Sequence, residues 1–271
     1  MKAFGDHFGI NTYSYTQSMP AGDCLRHLAD RGVKSFELMC YPGHLWITDS
    51  RQTLAEIRKV IDANGLRILS LNTTNIDMNI ASANAEMRAF SRQNNMRILR
   101  LAEDIGAEGI VVGPGKPNPL FPLPSDILEG HFFRALDELA PVAERSGRKI
   151  FMENMPFAYL PSAQGLMETL DRYGNDHIEV CYDVANGHFI GEDPAGGIAT
   201  CASRLGLLHI SDTTRAVFRH DAIGKGDLDL APIPPAIDKV GFDKPVILEV
   251  ISRDADADIG ASITTLLSRN F

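Results

Sequence analysis

Four residues of the right types for metal chemistry, Glu153, Asp183, His209 and Glu249, each close a short apolar run: Lys149-Ile150-Phe151-Met152, Ile178 to Tyr182, Leu207-Leu208 and Val246-Ile247-Leu248. Three carboxylates and one imidazole make a mostly hard oxygen set with one nitrogen. Such a set suits Mn2+, Mg2+ or Co2+ better than a thiolate-rich zinc site would, with manganese the first expectation. Taken singly, a strand-end carboxylate often caps the next helix and a histidine in an apolar run is often a satisfied core residue. The recurrence of a ligand-type residue at the ends of four consecutive strand-like runs points instead to one metal centre.

Residues so far apart in sequence meet only if the elements bring their ends together. Strand-like runs beginning near Phe8, Ser35, Arg67, Gly109, Lys149, Ile178, Gly206 and Pro245 alternate with helical periodicity along the whole chain. Eight such strands predict an α/β fold, a single (β/α)8 TIM barrel over residues 1–271, in which strand C-termini converge at one mouth. The helices carry matching signals. One stripe, Leu54, Ile57, Val60 and Ile61, stops at Asn64-Gly65; another, Met87, Phe90, Ile98, Leu101 and Ile105, stops at Gly106; a third, Phe132, Leu136, Leu139 and Ala143, stops at Gly147. An open doubly wound sheet would spread the four ligands along a crevice rather than around a ring.

Composition narrows the partners. The 271 residues are 44% hydrophobic and 23% charged with a formal charge of -9, ordinary for a chain that buries a sizeable core. That acidic balance argues against nucleic acid and anionic membrane, and for a small-molecule partner. Cys24, Cys40, Cys181 and Cys201 are scattered without a C-x-x-C pair and read as reduced core thiols. The stretch 1–10 contains Asp6 and His7 and lacks the apolar run of a signal peptide, so a cytoplasmic location is expected. Gly113-Pro114-Gly115-Lys116 is a poor phosphate cradle, because its prolines remove backbone donors and no helix follows directly.

The segments Phe151-Met152-Glu153-Asn154, Cys181 to His188, Leu208-His209-Ile210-Ser211-Asp212, Leu248-Glu249-Val250 and Gly224 to Asp229 together resemble the xylose-isomerase-like barrels. That superfamily includes ketose 3-epimerases, inosose isomerases and sugar phosphate isomerase/epimerase-like proteins. The resemblance implies a divalent-metal-dependent isomerase or epimerase acting on a carbohydrate through a metal-stabilised enediolate, in a fold whose members often associate as homo-oligomers. It implies that Glu153 and Glu249 are both metal ligands and the acid-base pair. One removes a proton beside the carbonyl and the other returns it. Arg215, six residues after His209, falls where the epimerases place an arginine on the substrate oxygens.

Two departures are visible. The epimerases carry a substrate-binding histidine three residues after the strand-six aspartate; here Asn186 stands there and His188 follows two residues later. They also carry a further glutamate after strand five, whereas Asn154 to Tyr159 contains no acid. Both leave room for a lyase on an oxidised sugar, by decarboxylation, dehydration or cleavage of a 3-oxo-glycoside. Abasic-site endonucleases of the same fold use extra histidines where this chain has Asn72, Gly113 and Asn186, and a non-catalytic sugar-binding barrel would not need a filled ligand set. Further candidates for substrate binding are Glu37 and Asn72, which end strands two and three and alternatively support the ligands, and His220, beside Asp221 after strand seven. Phe157, Tyr159, Trp46 and Tyr13 are candidate walls of an apolar pocket. With three carboxylates around one dication the charge near the metal favours a neutral polyol over a phosphate ester, although Arg215, Arg219 and Lys225 keep a sugar acid open.

Overall fold

The computed structural model describes residues 7–271; the first six residues of the 1–10 stretch, Asp6 among them, lie outside the described residues. Eight parallel strands close into a barrel in sequence order, each bonded to the next and the last to the first. They are β1 (Phe8–Asn11), β2 (Ser35–Cys40), β3 (Arg67–Thr73), β4 (Gly109–Val112), β5 (Lys149–Glu153), β6 (Ile178–Asp183), β7 (Leu205–Ile210) and β8 (Val246–Leu248). The strand starts expected at Gly206 and Pro245 fall one residue away, at Leu205 and Val246. Between and after the strands run α1 (Ala21–Ala29), α2 (Arg51–Asn64), α3 (Ala85–Ile105), α4 (Ser125–Ser146), α5 (Ala163–Tyr173), α6 (Val184–Phe189), α7 (Pro194–Cys201), α8 (Ile233–Val240) and α9 (Ala255–Leu267).

Two-residue strand periodicity explains how the barrel positions its candidate ligands. Phe151, Cys181, Leu207 and Ile247 belong to a small separate cluster, with Leu69 and Val111, that plugs the barrel interior. Two residues further along the same strands, or just past the end of β8, stand Glu153, Asp183, His209 and Glu249. The intervening Met152, Tyr182, Leu208 and Leu248 face the surrounding helices as part of the main core. Each of the four is therefore the next inward position above a closed apolar plug, at the carboxyl end of its strand. All four cysteines are buried and unpaired.

The predicted helix stops hold. Gly65, Gly106 and Gly147 take left-handed φ of 59°, 77° and 66° directly after α2, α3 and α4, a conformation that costs glycine least. The stripe predicted for α3 needs correction at its start, because Met87 and Phe90 are 38% and 58% exposed while Ile98, Leu101 and Ile105 are buried. The inward face of the first turns is polar instead: Ser91 Oγ accepts from Asn79 N at 2.9 Å, and Asn94 Nδ2 donates to Met78 Sδ at 3.0 Å. There α3 packs against the β3–α3 loop rather than against the sheet. Among the described residues no helix is long and apolar enough to cross a membrane.

Candidate active site

Glu153, Asp183, His209 and Glu249 come together at the barrel mouth, each offering a ligand atom, and these atoms all lie within 4.8 Å of one another. All four are buried. His209 Nδ1 faces the carboxylates, 3.1 Å from Glu249 Oε2, 3.7 Å from Glu153 Oε1 and 3.8 Å from Asp183 Oδ2. Asp183 caps a helix with one oxygen and leaves the other free. Its Oδ1 accepts from Asn186 N at 2.6 Å and caps α6, while Oδ2 is buried with no hydrogen-bond partner among the described residues.

Three carboxylates this close and this deep are costly as anions, and their protonation reflects it. Burial, with Glu249 and Asp183 adding to it against an opposing His209, holds the Glu153 carboxyl well above its usual range. Burial likewise pushes Asp183 up to about 6, with Glu249 adding and His220 and His209 opposing. A divalent cation fits these residues on two grounds. The aspartate oxygen aimed into the cluster lacks any other partner, and a doubly positive ion would cancel most of the charge that burial penalises. Those four residues would hold it.

Glu37 is the second layer. It is fully buried, and its carboxylate accepts from Asn11 Nδ2 at 2.6 Å, Ser70 Oγ at 2.5 Å and Asn72 Nδ2 at 3.0 Å, while Oε2 lies 3.1 Å from His209 Nε2. Burial alone would raise this carboxyl, but His209 and the hydrogen bonds from Ser70 and Asn72 outweigh it and hold the group below its ordinary value. With Nε2–H donated to Glu37, the other nitrogen of His209 is left free to ligate. Glu37 thus lies beneath the site rather than on its surface.

Above the cluster opens a cavity of about 410 Å³, and Glu153 and Glu249 are the two members of the quartet that line it. Asn72, Asn186, Arg219 and His220 also line it, as do Tyr13 and Phe157. Asn186 Nδ2 donates to Glu153 Oε1 at 3.3 Å, and its buried Oδ1 has no partner among the described residues. His220 Nδ1 sits 3.0 Å from Ser211 Oγ and 3.6 Å from Glu249 Oε2; burial lowers its basicity.

Other predicted site residues stand elsewhere. Arg215 is exposed on the loop after β7, beside Gly191, and does not line the cavity; Arg219 of the same loop does. His188 is turned away, its Nε2 2.6 Å from Asp227 Oδ1. Lys225 pairs with Asp258 at 2.7 Å. Tyr159 packs edge-on against Phe132, and Trp46 packs on the main core, so neither lines the cavity.

Three supports were not singled out from sequence. Asn154 locks the ends of β5 and β6 by donating Nδ2 to Asp183 O at 3.0 Å and accepting from Asp183 N at 2.6 Å. Asn11 bridges Glu37 and Glu249, with Nδ2 2.6 Å and 3.3 Å from their Oε1 atoms. Asp212 pins the Gly224–Asp229 loop, accepting from Gly224 N at 2.7 Å and Leu228 N at 3.3 Å. A side chain within a ligand motif, as Asn154 and Asp212 are, is a usable signal; Asn11 stands in none.

The chain belongs to the xylose isomerase-like TIM barrel family, whose pattern matches residues 25–268. It is 22% identical over 234 residues to the uncharacterized protein MJ1311 of Methanocaldococcus jannaschii, covering 83% of this chain and 77% of that protein. Among solved structures it resembles a D-tagatose 3-epimerase-like protein, with a TM-score of 0.83, 20% identity and 97% and 98% of the two chains covered. It also resembles an IolI protein with a bound zinc atom, with a TM-score of 0.81, 16% identity and 97% of each chain covered. At these identities the structural likenesses establish the fold.

Proposed function

We propose that the protein is a divalent-metal-dependent sugar isomerase or epimerase acting on a keto-sugar or related polyol. The observation that carries this reading is that the two glutamates of a buried four-ligand cluster, Glu153 and Glu249, both surface in the floor of one cavity. The similarity to a D-tagatose 3-epimerase-like protein and to a zinc-binding IolI protein supports it. Manganese as the cation, a carbohydrate as the partner and a cytoplasmic location complete the proposal.

A cation held by Glu153, Asp183, His209 and Glu249 would supply a Lewis acid that polarises the substrate carbonyl and makes the adjacent C–H acidic. One glutamate then removes that proton and the other returns one, and action from opposite faces inverts the carbon. Asn186 holds Glu153 by its Nδ2 contact, and Asn11 holds Glu249. His220, neutral and beside Glu249, is placed to donate to or accept from a substrate hydroxyl. Arg219 is the cation that the cavity wall offers to developing negative charge.

A lyase acting on an oxidised sugar is the second reading, favoured by the absence of any acid from Asn154 to Tyr159. Incubating the Mn2+-reconstituted protein with ketoses, inososes and 3-oxo sugars in D2O, followed by NMR, separates the two. Deuterium beside a carbonyl with an unchanged carbon skeleton supports isomerase or epimerase chemistry. Release of CO2, water or an aglycone supports the lyase, and no turnover across the panel contradicts both.

A further inference from the structure

The cavity above the glutamates is larger and more apolar than a free sugar requires. A hexose, its dozen heavy atoms packed at the density of an organic crystal, fills roughly 200 Å³, about half of the 410 Å³ present. The remaining space is lined by two aromatic rings from separate segments, Phe157 after β5 and Phe218 after β7, and Phe189 of α6 packs against both without lining it. Phe157 meets Phe218 edge-on at 5.6 Å between centroids and Phe189 at 5.9 Å, and Phe189 meets Phe218 at 5.3 Å. Phe218 in turn stands edge-on to His220 at 5.1 Å, and His220 Nδ1 is 3.6 Å from Glu249 Oε2. The rings therefore form a continuous path from the acid-base end of the cavity to the solvent, where Phe157 is 59% exposed.

Phenylalanine rings beside a cavity mouth make no hydrogen bonds and present flat apolar faces to a partner. Met155, Pro156 and Ala158 extend the apolar lining on either side of Phe157, while the polar lining residues Arg219, His220 and Asp221 follow Phe218. We propose that the substrate is a keto-sugar bearing a flat apolar substituent, an aryl 3-oxo-glycoside or its equivalent, with the sugar on the glutamate floor and the aryl group against Phe157 and Phe218. This rests on the carbohydrate reading above and specifies its substrate class.

The test compares binding of methyl and phenyl β-D-glucopyranoside, unreactive analogues that lack the carbonyl, to the Mn2+-reconstituted full chain by ligand-observed NMR titration. The phenyl compound is expected to bind at least tenfold tighter. In Phe157→Ala, whose ring is largely exposed and whose loss leaves the core intact, the gap is expected to fall below threefold while methyl glucoside binding is unchanged; Phe218→Leu gives the same direction. Equal affinity for the two compounds, binding of neither, or a gap that survives both substitutions overturns the proposal. Metal content, and deuterium exchange on the corresponding 3-oxo glycosides, are read separately. Their failure with the phenyl preference intact removes the isomerase chemistry and leaves the aryl subsite standing.

Discussion

His209 is held between two carboxylates, with Glu37 Oε2 3.1 Å from Nε2 and Glu249 Oε2 3.1 Å from Nδ1. The two partners play different parts. Glu37 faces away from the cavity and is saturated by Asn11, Ser70 and Asn72, so it fixes the ring and its tautomer. Replacing Glu37 with Gln keeps a hydrogen-bond acceptor but removes the charge, and replacing it with Ala removes both. Metal affinity is expected to fall about tenfold in the first and about a hundredfold in the second, measured by competition with a chelating dye. Affinity within twofold of wild type in the alanine variant would show that Glu37 does not orient His209.

Metal uptake is expected to depend on pH. Asp183 is raised to about 6 and Glu153 is raised well above its usual range, so the metal-free protein keeps protons that a cation must displace. Apparent affinity therefore increases as pH rises through roughly 5 to 7, and binding releases protons. Stability of the metal-free form runs the other way. The folded state holds the Asp183 proton up to about 6, whereas the unfolded chain releases it near its ordinary value of about 3.9, so stability falls as pH rises between them. Calorimetry in buffers of different ionisation enthalpy reads the released protons, and a flat affinity from pH 5 to 7 would contradict the account.

Arg215 and Arg219 separate a family-based expectation from a geometric one. Both lie in the loop after β7, but Arg219 lines the cavity and Arg215 does not. Arg219→Ala is expected to raise KM or lower kcat at least tenfold, with Arg215→Ala within threefold of wild type. The reverse ranking would mean that the loop closes over substrate in a different arrangement.

Gly226 anchors the same loop. A β-carbon there would lie 2.1 Å from Thr213 O and 2.3 Å from Asp212 Oδ1, groups fixed by the Asp212 hydrogen bonds. Gly226→Ala is expected to destabilise the protein by about 1–3 kcal/mol through this overpacking, visible as a lower Tm. An unchanged Tm would mean that the loop yields freely.

Much of the barrel and the clustering of Glu153, Asp183, His209 and Glu249 was legible because apolar runs ending in ligand-type residues are local patterns. The chain writes Phe151-x-Glu153, Cys181-x-Asp183, Leu207-x-His209 and Ile247-x-Glu249, and two-residue periodicity does the rest. What was not legible depends on loop paths. Arg215 and His188 sit at spacings that point to the site, yet the loop after β7 turns Arg219 inward, and His188 pairs with Asp227. Met87 and Phe90 continue a helical stripe on paper, but α3 begins where the β3–α3 loop rather than the sheet is its neighbour. Asn11 gives no signal, since an asparagine ending a four-residue strand looks like a turn.

The most direct test is deuterium wash-in from D2O at the substrate carbon, comparing wild type with Glu249→Gln at equal metal content. Glutamine keeps the shape of the site and removes the carboxylate base. Exchange is expected to fall at least a thousandfold while the variant stays folded and still binds metal. Exchange at the wild-type rate in that variant would contradict a proton-transfer role for Glu249.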